Sequence, residues 1–146
     1  MPTVLKEIPV WLCIALNEIG QAEVEGKAAN PRILDYLKTV GVTSSSDEVP
    51  SCSAFVNFCL IESGLEGTKS ALARSFLSYG ISLQKATLGC IVVLKRGEPW
   101  QGHTGFLLDE HQGLVRLVGG NQLNRVGVNN YKKADVLSYR WPDGLV

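Results

Sequence analysis

At 146 residues the chain has room for one domain, and a hydrophobic fraction of 45% is enough to fill a single core. Fourteen basic and fourteen acidic residues cancel to a net charge of zero with no basic run, which argues against nucleic acid or an anionic membrane as partner. No stretch approaches the ~20 apolar residues of a membrane-spanning helix.

Residues 1–9 carry Glu7 and two prolines where a signal peptide wants plain positive charge, and the apolar run from Val10 to Leu16 stops at Asn17-Glu18 without a cleavage site. Synthesis as a soluble cytoplasmic chain is therefore expected, with delivery by other machinery if the protein acts outside. Ile8, Trp11, Leu12, Ala15 and Ile19 recur at helical spacing and predict a helix closed by Gly20. Asn30-Pro31 reads as N-cap and first position of a second helix, running through Ile33, Leu34, Tyr36, Leu37 and Val40 to Gly41. Thr43 to Asp47 is a loop. From Cys52 to about Ser63 the chain is apolar nearly all round, so this third helix is expected at the centre of the domain. Gly64 ends it, and Lys69 to Tyr79 reads as a fourth helix.

Past Gly80 the period changes from helical to alternating. Ile91–Leu94, Thr104–Leu108, Leu114–Val118, Arg125–Val128 and Val136–Tyr139 are short runs separated by turn residues and read as antiparallel strands. Helices first and strands second predict one α+β domain over residues 1–146, its N-terminal helices packed on a C-terminal antiparallel sheet.

The four cysteines, Cys13, Cys52, Cys59 and Cys90, show no metal-ligand spacing, and a disulfide framework is not expected in so apolar a domain. Cys13 and Cys59 lie inside apolar helical patterns and are expected in the core. Cys52 differs, because Pro50-Ser51 places it at the first turn of the central helix. There the free N–H groups and the helix dipole are expected to favour thiolate over thiol. His103 opens an apolar strand in Gly102-His103-Thr104-Gly105, and Asn121 follows Gly119-Gly120 at the end of the next strand. A cysteine, a histidine and a polar side chain make up a cysteine acyl-transfer site.

Read singly, Cys52 suits a core cysteine, His103 a structural histidine and Asn121 a turn residue; only their conjunction points to catalysis. A three-residue hairpin loop, His111-Gln112-Gly113, would pair Asp109 with Val115, Leu107 with Leu117 and His103 with Asn121, which would then fix the imidazole tautomer. A two-residue loop would flip the parity and turn Asn121 away. Ser51, Glu48 and Gln122 are the substrate-contact candidates flanking this constellation. Glu48 suits the cleft rim or a helix cap, and Gln122 is an alternative orienting residue.

The succession Val10-Trp11-Leu12, Glu18-Ile19-Gly20, Asn30-Pro31-Arg32-Ile33, Pro50-x-Cys52-Ser53-Ala54-Phe55-Val56-Asn57, Gly67-Thr68, Gly102-His103-x-Gly105-Phe106, Gly119-Gly120-Asn121-Gln122 and Tyr139-Arg140-Trp141-Pro142 resembles small phage- and prophage-associated cell-wall hydrolases. These are related to the NlpC-type and CHAP-type peptidases of the papain-like superfamily. The resemblance covers nearly the whole chain. It implies hydrolysis of an amide bond in bacterial peptidoglycan, with Cys52 as nucleophile, His103 as base and Asn121 as orienting residue. No metal or cofactor is implied. Action on the cell wall would follow holin release or secretion-system delivery. An antibacterial amidase effector with a cognate immunity protein would share the same site, and an inactive cell-wall-binding or virion module would share the fold. Two positions depart from the pattern: Ser51 stands where the group has tryptophan, and Cys90 where it has aspartate.

Overall fold

The computed structural model describes residues 8–20, 31–41, 52–120 and 125–143. Three helices come first: α1 (Val10–Asn17), α2 (Pro31–Lys38) and α3 (Cys52–Glu62). After a 3₁₀ turn over Ala73–Ser78 the chain is extended, in β1 (Ile81–Leu83), β2 (Ile91–Lys95), β3 (Gly102–His111), β4 (Leu114–Gly120), β5 (Val126–Lys132) and β6 (Val136–Trp141). The strands form one antiparallel sheet in the order β1-β6-β2-β3-β4-β5, so the class is α+β, as the change of period predicts.

That order has a geometric consequence. Strands β5 and β6 are separated in the sheet by β4, β3 and β2, yet only the three-residue 3₁₀ turn Lys133–Asp135 joins them in the chain. In a flat sheet four strand spacings would hold them about 19 Å apart. The four Cα steps from Lys132 to Val136 span at most about 14 Å. The sheet is therefore rolled, bringing the end of β5 round toward the start of β6.

Rolling gives the sheet an outer and an inner face, and alternation along the strands fills both. Ile91, Val93, Phe106, Val118 and Val126 join Trp11, Leu12, Ala15, Tyr36, Leu37 and the apolar residues of α3 in one buried cluster. Cys90, Val92, Leu94, Leu107, Val115 and Leu117 form a second cluster, lined by Tyr131, Val136 and Tyr139. Residues Cys52 to Leu60 of α3 are buried without interruption, as expected of a helix with no wide polar stripe.

Polar ties lock the helices in place. The Trp11 indole N–H donates to the Gly89 carbonyl at 2.7 Å, and its ring meets Trp141 edge-on at 5.1 Å. The Tyr36 hydroxyl donates to the buried Glu18 carboxylate at 2.8 Å. Asn57, fully buried on α3, donates to the Ser53 carbonyl at 2.9 Å and the Thr68 hydroxyl at 3.2 Å, and accepts the Lys69 N–H at 2.8 Å.

That last tie explains one departure from expectation. No α-helix runs from Lys69 to Tyr79; Lys69 has a φ of 57°, and only Ala73–Ser78 winds, as a 3₁₀ turn. Asn57 holds the Lys69 amide in a bend, and an added Cβ on Gly67 would come within 2.1 Å of the Asn57 side-chain oxygen. Cys13 also departs: it is exposed, not in the core, because α1 turns Trp11, Leu12 and Ala15 inward and leaves Cys13 on the far side.

The β3–β4 hairpin departs twice, with opposite effect. Its loop is Gln112-Gly113, two residues with φ of 48° and 79°, the sign pattern of a type I′ turn, and His111 pairs with Leu114. The predicted Asp109–Val115 pair is replaced by Asp109–Arg116. A bulge between Leu107 and Asp109 then absorbs one residue, so that Leu107 faces Leu117 and Phe106 faces Val118, as a three-residue loop would have set them.

Replacing Asn57 with alanine strands the Lys69 amide and frees the 65–72 segment. Urea unfolding of Asn57→Ala should show a loss of about 1–2 kcal/mol, for the hydrogen bonds lost with the buried Asn57 amide, with the slope unchanged.

Candidate active site

Cys52 is the first residue of α3 and is 5% exposed. Three backbone N–H groups act on its sulfur to favour the charged form: its own, that of Ser53, and that of Thr104 across on β3. The first two are the free donors every helix start presents. The third ties the helix start to the beginning of β3, where the residue next to Thr104 is His103.

His103 pairs across the ladder with Leu94, an inner-face residue, and so belongs to the rolled interior. It too is 5% exposed. Its ring stacks on Tyr131, with centroids 4.7 Å apart and planes 29° from parallel. Tyr131 pairs with Val115 near the hairpin end of β4, many residues along the sheet from His103. Only the roll of the sheet brings the two rings together. Thr104 is wholly buried, and its hydroxyl has no hydrogen-bond partner among the described residues.

Burial decides the charge state of this pair. It pushes the Cys52 thiol above its ordinary range, and the three N–H groups together with the Arg96 charge pull the other way without cancelling it. The expectation that the helix start favours thiolate is thus overturned, because loss of hydration outweighs the dipole. Burial also lowers His103, from 6.5 to about 4, with the Arg96 charge adding to the effect. At neutral pH the resting site holds a neutral thiol and a neutral imidazole.

Asn121, Ser51, Glu48 and Gln122 lie outside the described residues, so of the residues singled out in the sequence the structure places Cys52 and His103. Tyr131 and Arg96 were missed by sequence reasoning. Asn129-Asn130 read as turn residues and cut the predicted strand at Val128, whereas β5 continues to Lys132 with its odd-numbered side chains half-buried. Arg96 gave no signal beyond its place just before Gly97. Cys90, which stands where the resembled group has aspartate, is fully buried in the inner cluster with its thiol pushed up to about 11, and it behaves as a small apolar filler.

The lowered His103 carries a stability signature. The unfolded chain takes up a proton near pH 6.5 and the folded one only near 4, so stability is full above 6.5 and declines as the pH falls toward 4. At about 1.4 kcal/mol per pH unit the decline should reach about 3 kcal/mol. Denaturant titrations at pH 7 and pH 4.5 should show a smaller drop in His103→Gln than in the unsubstituted protein.

Comparison with known proteins adds the fold. No protein-family model matches the chain, and no curated protein matches it. Among solved structures it is similar to a protein described as similar to a lipoprotein of the NLP/P60 family, from Staphylococcus aureus subsp. aureus Mu50. The superposition has a TM-score of 0.56 at 17% identity and covers 98% of this chain but 44% of that one. The chain thus spans less than half the length of that neighbour. What the two share is the fold, over nearly the whole of this chain.

Proposed function

We propose that the protein is a cysteine peptidase or amidase that hydrolyses an amide bond of bacterial peptidoglycan, in a papain-like arrangement of helices on a sheet. The observation that carries this reading is the burial of Cys52 at the start of α3 within the influence of the Thr104 N–H, the chain neighbour of the sole buried histidine among the described residues. The fold shared with an NLP/P60 protein supports it, as do the cell-wall hydrolase motifs spread along the sequence.

In the mechanism we infer, neutral His103 takes the proton of Cys52 as the sulfur attacks the scissile carbonyl carbon. The carbonyl oxygen gathers negative charge and is met by the backbone N–H of Cys52. The tetrahedral adduct collapses, the C–N bond breaks, and the imidazolium returns its proton to the leaving amine. Water then adds to the thioester with His103 as base, releasing the acid and restoring the thiol. Because thiol and imidazole start neutral, activity needs no preformed ion pair. Asn121 orients the imidazole through a hydrogen bond to one ring nitrogen. Ser51, Glu48 and Gln122 flank the cleft as substrate contacts.

Digestion of purified peptidoglycan, with mass spectrometry of the new termini, tests the activity and identifies the bond. Cys52→Ala should abolish release of new termini while keeping the unfolding transition; substantial turnover by the folded variant would refute the mechanism. His103→Ala should lose about two to four orders of magnitude, the span of general acid–base catalysis, and Asn121→Ala an intermediate amount. An unchanged rate in Asn121→Ala would transfer the orienting role to Gln122 or Glu48. The acid limb of kcat/KM should fall near pH 4, where His103 gains its proton, and not near 6.5.

A further inference from the structure

The imidazole that acts as base is shut away from water, so its protonated form needs support from the protein. His103 is 5% exposed and pairs across the ladder with Leu94, a member of the apolar inner cluster. When it takes the Cys52 proton, the S–H bond breaks, an N–H bond forms and a full positive charge arises on the ring. A charge buried without compensation is costly. Of the titratable and charged groups about the ring, Cys52 on α3 is the source of the proton, Arg96 after β2 opposes the new charge, and Tyr131 on β5 lies against the ring itself.

Tyr131 presents the right part of its ring. Its plane is 29° from that of His103 and the centroids are 4.7 Å apart, so face lies over face. The other aromatic pairs among the described residues, Trp11–Trp141 and Phe76–Tyr79 among them, meet edge-on with planes 64–80° apart. An aromatic edge carries the positive rim, whereas the face carries the negative π cloud. A cation over the face and within about 6 Å of the ring centre is attracted, the more so where water is excluded. Burial pushes the Tyr131 phenol up, so the ring stays an uncharged phenol while His103 works. Its backbone is held in the ladder opposite Val115, and the ring reaches His103 from β5 across β4.

Resting on the proposed peptidase or amidase activity, we propose that Tyr131 is a positioning residue that acts through His103, its ring face stabilising the imidazolium formed when the Cys52 proton is transferred. The sulfur keeps the electron pair of the broken S–H bond and spends it on the carbonyl carbon. The positive charge stays on the stacked imidazole until the proton passes to the leaving amine. The neutral imidazole of the resting site gains little from the π face, so the interaction strengthens as the transition state forms and raises kcat. Stacking also fixes the plane of the imidazole but is blind to a half-turn of the ring. The choice of nitrogen is left to the hydrogen bond proposed for Asn121.

Two measurements on one series test the assignment. The series is Tyr131→Phe, followed by phenylalanine bearing one, two and three ring fluorines at the same position. Fluorine drains the π face while the ring keeps its shape and apolar surface, so a residue that only fills space would not respond. On soluble peptidoglycan fragments Tyr131→Phe should stay within about threefold of the unsubstituted protein, and kcat should then fall stepwise to about a tenth with three fluorines, KM changing little. The second measurement needs no substrate: proton uptake by the His103 ring is followed by NMR. It lies at about 4 in the unsubstituted protein and should move to lower pH with each fluorine, because the imidazolium loses its support. A kcat or a His103 titration that stays flat across the series would overturn the proposal. If the unsubstituted protein cuts no peptidoglycan while the titration still moves, the peptidoglycan reading fails and the pairing of imidazolium with the Tyr131 ring stands.

Discussion

The short link between β5 and β6 governs this molecule. Three residues cannot bridge the two sides of a flat sheet, so the sheet must roll, and rolling creates an interior that an open sheet would lack. Tyr131 reaches His103 through that interior although their strands are not neighbours. Val136 and Leu94 close it on the β6 side. The outer face is left to the helices, and α3, apolar on every side, fills the contact. One topological constraint thus fixes where both cores lie and leaves the start of β3 exposed to the first residue of α3.

At that meeting point two kinds of electrostatics compete. A helix start offers donors and a positive dipole end, worth roughly 0.3–1 kcal/mol in ordinary settings. Removing an ionisable group from water costs more, and at Cys52 the cost prevails. The same loss of hydration acts on His103 in the opposite sense, since there the charged form is the protonated one. Burial therefore separates the two titrations and holds the pair neutral over a wide span of pH. Arg96 widens the gap at His103 and narrows it at Cys52, because one positive charge disfavours an imidazolium and favours a thiolate.

Much of this is legible in the sequence, for identifiable reasons. Period and punctuation are local, so α1, α2, α3 and β2 to β6 emerge from apolar spacing and glycine stops, Gly20 and Gly64 both adopting positive φ where a helix ends. Burial of Cys52 to Leu60 follows from the missing polar stripe. What fails is non-local. The Lys69–Tyr79 helix is lost to a hydrogen bond that the Lys69 N–H donates to Asn57, twelve residues away, and that no local pattern announces. Cys13 is misplaced because a short apolar helix does not declare which side faces out. The hairpin is instructive: its turn has two residues instead of three, yet a bulge next to Asp109 restores the register beyond it, so Leu107 and Phe106 still face Leu117 and Val118 through two compensating features. Tyr131 joins the site only through the roll of the sheet, which is written in strand order, and Arg96 through the pairing of β2 with β3; neither is written in any single window of sequence.

The neutral resting thiol also bears on how the protein ages. Oxidants such as hydrogen peroxide attack the thiolate, and a cysteine that stays protonated and enclosed enters the sulfenic–sulfinic series slowly. Cys13, exposed on α1, meets oxidant first. A protein built this way keeps its inner sulfur reduced when oxidant is present, at the expense of damage to a surface residue with no part in the site.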